Sequence, residues 1–424
     1  MQIFLFILYN LIFVPVIFVA IHIAALFHPK LRKGVLGRYR IYGKLRRSGI
    51  LKEVKPVMVV HCASMGEFEH IKPFLVEFKK VKPDFRIIVL FFSPSGYENV
   101  RSFPAVDLFL YAPFDWFLPV AKFFSLVNPA LWIVTKHDVW PNQVWISSFL
   151  RKPIFLINAS LHQQSSRLLW FTRFFHREIY RYFTKILTIS QSDQRNFLKL
   201  APAGKVVVAG DTKYDQVIYR RNESMKRVLI DSNITVNRFV FLAGSTWPED
   251  QEHLVQAVKT LQANHPGFLA IFCPHEPTEQ HLSQLIAEIA PLKYILFSDL
   301  ENYSGQPLII VDRIGVLANL YSVSSVAYVG GSFRQNVHNV LEPAVYGIPV
   351  LFGPVNDNSH EAQLLKAEGG GIEVHNAIEI ENTLNKFLLN EIYCREAGKK
   401  ALKIVETNRG ATRRTIEAIL SYLP

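Results

Sequence analysis

The segment His61-Cys62-Ala63-Ser64-Met65-Gly66-Glu67 joins small residues, which let a backbone turn tightly, to a single carboxylate. It follows the β-branched run Val57–His61 and opens the amphipathic stretch Gly66–Lys80, so the expected local structure is strand, turn and helix. Glu67 would then stand in the first helical turn, where a carboxylate can serve as general base for a hydroxyl nucleophile. It could equally do no more than complement the helix dipole. A second segment, Gly330-Gly331-Ser332-Phe333, also follows a strand-like run and continues into His338-Asn339-Val340-Leu341-Glu342-Pro343-Ala344. If His338 and Asn339 open a helix, its first backbone donors suit a phosphate, and Glu342 could accept hydrogen bonds from ribose hydroxyls. Ser245 and Thr246 of Gly244-Ser245-Thr246, and Pro274-His275-Glu276-Pro277, come after strands as well. Lys213, within Asp211-Thr212-Lys213-Tyr214-Asp215, could reach an anion. No G-x-G-x-x-G follows a strand, which disfavours a nucleotide dehydrogenase.

The elements that must position these groups read as two series. Val57–His61, Ile87–Phe92, Leu131–Thr135, Ile154–Ile157, Ile186–Ser190 and Val206–Ala209 are strand-like and separated by helical patterns. After a charged stretch the series restarts with Phe239–Ala243, Phe268–Phe272, Leu308–Val311, Val326–Val329 and Val350–Phe352. Such alternation predicts an α/β chain of two Rossmann-like domains with a cleft between them and ligands beyond the carboxyl ends of the strands. The expected division is an anchor over residues 1–29, a first domain over 30–215 and a second over 216–424, its last helix able to cross back. Residues from Ala377 to Leu423 read as helices.

Residues 1–29 contain no Lys, Arg, Asp or Glu, and Ile3–Phe27 is almost wholly apolar. That is long enough to span a bilayer as a helix; with Pro15 and His22 within it, a kinked or interfacial helix is the alternative. The basic residues Lys30, Arg32, Lys33, Arg38 and Arg40 come after the apolar stretch, which disfavours a signal peptide and places the following chain on the cytoplasmic side. Arg173, Arg177, Arg181 and Lys185, four apart, would line one helix face that meets lipid headgroups or an acceptor phosphate, or is simply solvated. The net charge of +12 suits anionic lipid or a phosphorylated substrate better than nucleic acid in an anchored chain. Three scattered cysteines show neither a disulfide framework nor metal-ligand spacing.

Taken in order, the anchor, the H-x-A-S-x-G-E segment, Trp140-Pro141-Asn142, Lys213-Tyr214-Asp215, Gly244-Ser245-Thr246 and the Gly330–Ala344 block resemble the Kdo (3-deoxy-D-manno-oct-2-ulosonic acid) transferases of lipopolysaccharide synthesis. The resemblance covers nearly the whole chain. It implies an inverting, GT-B glycosyltransferase on the inner membrane of a Gram-negative bacterium, with CMP-Kdo as donor and a lipid A precursor as acceptor. Glu67 is then the general base, and Asp138 and Lys213 stabilise the transition state. Donor contacts fall on Ser245, Thr246, Pro274, His275, Ile314, Gly315, Val316, Gly331, Ser332, His338, Asn339, Val340, Leu341 and Glu342. No cofactor, metal or protein partner is implied; anionic membrane lipids are. The family's E-T-E-L-W-P-N reads here Lys136-His137-Asp138-Val139-Trp140-Pro141-Asn142, with Lys136 in place of the first acid. Its P-R-H-P reads Pro274-His275-Glu276-Pro277, so an arginine is missing there, and its G-E-L reads Gly315-Val316-Leu317. Its G-G-H-N reads Asn336-Val337-His338-Asn339. A GT-B transferase using another nucleotide sugar and a non-catalytic scaffold are the alternatives.

Overall fold

Buried along its whole length, the apolar run Val57–Cys62 (β1) can only be an inner strand of a sheet covered on both faces. The computed structural model describes residues 2–100 and 102–423 and shows this arrangement twice. The first sheet adds Arg86–Phe91 (β2), Leu108–Tyr111 (β3), Leu131–Thr135 (β4), Ile154–Ala159 (β5), Lys185–Thr188 (β6) and Val206–Val208 (β7), in the order β3-β2-β1-β4-β5-β6-β7. The second contains Phe239–Thr246 (β8), Phe268–Pro274 (β9), Tyr294–Leu296 (β10), Leu308–Ile310 (β11), Val326–Val329 (β12), Val350–Phe352 (β13) and Gly371–Glu373 (β14), in the order β10-β11-β9-β8-β12-β13-β14. The strand pairs are parallel, for example Met58 opposite Leu131 and Tyr328 opposite Ala243. Each is a doubly wound Rossmann-like sheet, as the alternation predicts. Strand order reverses between β1 and β4 in one sheet and between β8 and β12 in the other, and those switch points are where such sheets bind ligands.

Alternate residues of each strand feed two apolar layers. Val59, Leu90 and Val134 pack on one face of the first sheet, and Val60, Val89 and Ile133 on the other. The chain forms two units: residues up to Gln216 together with those from Arg409, and Val217–Asn408. The C-terminal helix Ala411–Leu420 therefore belongs with the first sheet, where Ile416 and Ile419 join the layer of Phe74 and Phe78. Asp215 secures it: its carboxylate oxygens accept from the Gly410 and Thr412 N–H groups, both at 2.6 Å. These are orphan donors at a helix start, so a carboxylate satisfies them and complements the dipole at once.

The N-terminal apolar stretch is helical over Gln2–Leu8 and Val14–Phe27 with a π-turn, Tyr9–Phe13, between. The Val14 N–H bonds the Tyr9 carbonyl, five residues back, and Pro15 has no N–H to restore the α pattern at the next position. The extra residue swings Tyr9 and Asn10 inward while Leu11, Ile12 and Phe13 stay exposed. The basic stripe does not lie on one helix. The helix ends at Tyr180, because Tyr180 and Phe183 turn into the core; Arg173 and Arg177 are helical, Arg181 is the C-cap and Lys185 begins β6. Arg181 pairs with Glu178, and Lys185 donates to the Gly204 carbonyl.

Asp215→Ala is expected to cost about 2–3 kcal/mol, the loss of two charge-assisted helix-start bonds. The measurement is a lower denaturant midpoint together with new proteolytic cleavage near Asn408–Gly410; an unchanged midpoint would contradict it.

Candidate active site

At the first switch point the turn after β1 places Glu67 two residues into helix Met65–Val81. Its carboxylate is buried, and Oε2 accepts from the Ala63 N–H at 2.7 Å. The Thr135 hydroxyl, at the end of β4, stands 2.6 Å from the same oxygen and 3.0 Å from the His61 carbonyl. With one proton to give, it serves the nearer carboxylate. Beyond β4, Lys136 adopts a left-handed φ of 53° and turns the chain so that Asp138 Oδ2 accepts from His61 Nε2 at 2.8 Å. The Gln143 amide nitrogen is 3.5 Å from the other ring nitrogen. Burial is the largest influence on the Asp138 carboxyl and raises it; the hydrogen bond and charge of His61, with the bond from Trp140 and the charge of His137, together outweigh it and hold the group below its usual value. Glu67, His61 and Asp138 thus form one polar cluster on β1 and β4.

Lys213, on helix Thr212–Ser224, has its ammonium 3.4 Å from Asp211. Thr212 is fully buried and its N–H donates to Asn158 Oδ1 at 3.1 Å, which fixes the start of this helix.

At the second switch point, Ser245 adopts a left-handed φ of 53° as β8 ends. Gly330 follows β12, and a Cβ there would lie 2.2 Å from the Ser245 carbonyl oxygen, so the two loops meet backbone to backbone. Asp250 ties them: Oδ2 accepts from Trp247 N–H at 2.9 Å and Gly331 N–H at 2.8 Å, and Oδ1 accepts from the Tyr328 hydroxyl at 2.7 Å. Above this brace three rings stack. The His275 ring lies 4.8 Å from Trp247 and 4.5 Å from His338, with interplanar angles of 23° and 17°. The Trp247 indole donates to His338 Nε2 at 3.1 Å. Burial, and then the neighbouring His275, push the His338 imidazole below its usual value, which leaves Nε2 unprotonated to accept that bond.

Several expected donor contacts are placed differently. Ser332 is fully buried; its hydroxyl donates to the Val329 carbonyl and accepts from the Gly353 N–H at 2.7 Å, bracing the loop from inside. The Thr246 hydroxyl is likewise taken by Gln251. Pro274, Gly331, Val340 and Leu341 are buried. His338 and Asn339 do not open a helix: they lie in the loop before Leu341–Ala344, a single turn. Glu342 accepts from Arg220 at 2.6 Å. Ile314, Gly315 and Val316 form a loop after β11 with Ile314 84% exposed. Arg334 points to Glu249 at 2.8 Å.

The description 3-deoxy-D-manno-octulosonic-acid transferase (kdotransferase) matches residues 35–216. A protein of that name from Haemophilus influenzae is 27% identical, covering 96% of both chains. Another, from Aquifex aeolicus, is 28% identical over 88% of this chain and 95% of its own. Over most of its length the chain is similar to proteins named as Kdo transferases. In fold alone it is similar to UDP-GlcNAc 2-epimerase from Neisseria meningitidis bound to UDP-GlcNAc, with a TM-score of 0.59 at 14% identity over 86% of this chain and all of that one.

The region matched to the Kdo transferases also holds a cluster that motif reading missed. Asn142, fully buried in Trp140-Pro141-Asn142, exchanges side-chain hydrogen bonds of 3.0 Å with Asn10 of the N-terminal helix. Asn10 Oδ1 also accepts from the Phe117 N–H, and the Tyr9 hydroxyl donates to Asp115 Oδ2 at 2.8 Å. Asn10, an amide inside an otherwise apolar run, was the available signal. Asp115 Oδ1 is enclosed without a hydrogen-bond partner. Burial pushes this carboxyl up to about 6, against opposing hydrogen bonds from Tyr9 and Asn142.

A folded value above the unfolded one means that the folded state binds the proton more tightly. The stability from Asp115 is full below about pH 4 and falls as pH rises through about 6, by about 3 kcal/mol in all. The urea midpoint of the wild type should therefore fall relative to that of Asp115→Asn between about pH 4 and pH 7; parallel curves would refute the assignment.

Proposed function

We propose that this chain is a membrane-bound inverting transferase that moves Kdo from CMP-Kdo to a lipid A precursor at the cytoplasmic face of the inner membrane. The observation that carries the reading is Glu67: a buried carboxylate at the switch point of the first sheet, with two donors on one oxygen. The two donors hold the carboxylate in one orientation at the switch point, where a general base must stand. Glu67 takes the proton of the acceptor sugar hydroxyl as its oxygen attacks the anomeric carbon of Kdo. The bond to the CMP phosphate breaks, and CMP leaves with the electron pair. Lys213 and Asp138 stabilise the charges that develop, Lys213 on the phosphate side. His61 holds Asp138 in place.

On the second unit, the loops at β8, β9 and β12 present Ser245, His275, His338 and Asn339 to the donor. The Trp247–His275–His338 stack offers aromatic surface to a base, and Asn339 is exposed. A membrane seat is supported by the apolar helix and by Trp170, Phe171 and Phe174, exposed beside Arg173 on helix Trp170–Tyr180.

The test is transfer from freshly generated CMP-Kdo to a tetraacyl lipid A precursor with EDTA present, read by product mass. Wild type is expected to form product, and Glu67→Gln to lose about 10²–10⁴-fold in kcat as a missing general base would. Folded wild type giving no product beside an active Kdo transferase would sink the donor and acceptor assignment, and a fully active Glu67→Gln would sink the base.

A further inference from the structure

We infer that an apolar cavity between the N-terminal helix and the first sheet holds an acyl chain of the acceptor lipid, an assignment that rests on the transferase reading above. The cavity measures about 410 Å³, within the range of small-ligand sites. Val14, Ile17, Phe18 and Ile21 of the helix line it together with Phe92 and Phe114, and the Phe18 and Phe114 rings are in contact at 5.1 Å. An apolar surface of this kind suits hydrocarbon, and the exposed Lys30 beside it suits a phosphorylated headgroup. Lys30 lies at the wall and opens the basic run Lys30, Arg32, Lys33, Arg38 and Arg40. The Arg38 guanidinium sits 4.8 Å from the Phe92 ring centre and donates to the Phe92 carbonyl at 2.6 Å.

The cavity backs onto the turn that holds the base. Its floor is Phe92-Ser93-Pro94. The Phe92 N–H donates to the Cys62 carbonyl at 3.0 Å and the Ser93 N–H to the Ala63 carbonyl at 2.9 Å. The Ala63 N–H in turn donates to Glu67. A chain seated here therefore lies close to the turn that holds the carboxylate. Resident membrane lipid is met on the opposite face of the helix, where Leu11, Ile12, Val16, Val19 and Ile23 are exposed. The clamp of Asn10 on Asn142 and Tyr9 on Asp115 holds the wall in place.

The test compares Ile17→Trp and Ile21→Trp, which fill the cavity from the helix side, with Val16→Trp on the exposed face. Transfer is measured to the tetraacyl precursor and to the same bisphosphorylated disaccharide stripped of its acyl chains. The ratio of kcat/KM for the acylated over the deacylated acceptor should fall about tenfold or more in the two filled variants, as displaced methylenes predict, and stay near the wild-type ratio in Val16→Trp. In parallel, a precursor with a diazirine on one acyl chain should label Phe18, Phe92 or Phe114, competed by unlabelled precursor and not by phosphatidylethanolamine. An unchanged ratio, label outside the cavity, or competition by phosphatidylethanolamine overturns the inference. Wild type inactive on both acceptors would fail the transferase reading instead, and the labelling pattern would still decide whether the cavity takes the chain.

Discussion

Parallel strands paired on both sides and covered on both faces leave polar side chains one place to work, the loops at the strands' carboxyl ends. This constraint governs the chain twice. Each sheet is filled largely by apolar residues, and where its strands end the backbone must turn, bury its freed donors and present whatever chemistry it carries. A carboxylate meets the demand at both switch points. Glu67 takes the Ala63 N–H where β1 and β4 diverge. Asp250 takes the Trp247 and Gly331 N–H groups where β8 and β12 diverge. The same device yields different outcomes because the company differs. Asp250 spends both oxygens on the backbone brace and a tyrosine, whereas the bonds to Glu67 converge on one oxygen.

The inner strands were legible because their apolar runs declare themselves. Leu131–Thr135, Val326–Val329 and Val350–Phe352 have the bounds expected of them. Leu108–Tyr111, Tyr294–Leu296 and Gly371–Glu373 were not read, and all three are edge strands of three or four residues. A short edge strand is defined by the neighbour it pairs with, which periodicity cannot reveal. The basic stripe failed for a related reason: spacing by four continues past the point where Tyr180 and Phe183 pull the chain into the core.

Among the site residues, those that act through local turns were visible. Glu67 and the glycine loops follow strands directly. Their long-range partners were not: Thr135 and Glu67 are 68 positions apart, and Asn10 and Asn142 are 132 apart. The resemblance put a donor contact on Ser332. Its hydroxyl turns inward to serve Val329 and Gly353. Burial decides such cases.

The π-turn at Tyr9–Phe13 makes the register of the N-terminal helix part of the tertiary structure. One added or deleted residue rotates an α-helix by about 100°. Between Asn10 and Ala25 such a change would carry the inward stripe of Val14, Phe18 and His22 away from Phe114 and Trp116 while Asn10 stayed pinned. Before Phe6, whose ring meets Phe117 and Trp145, it would alter little but length. Hydrophobicity alone would let the two halves of this helix drift in sequence equally; phase does not. The half after the turn is held to a fixed count of residues, as a core helix is, although most of its surface faces outward.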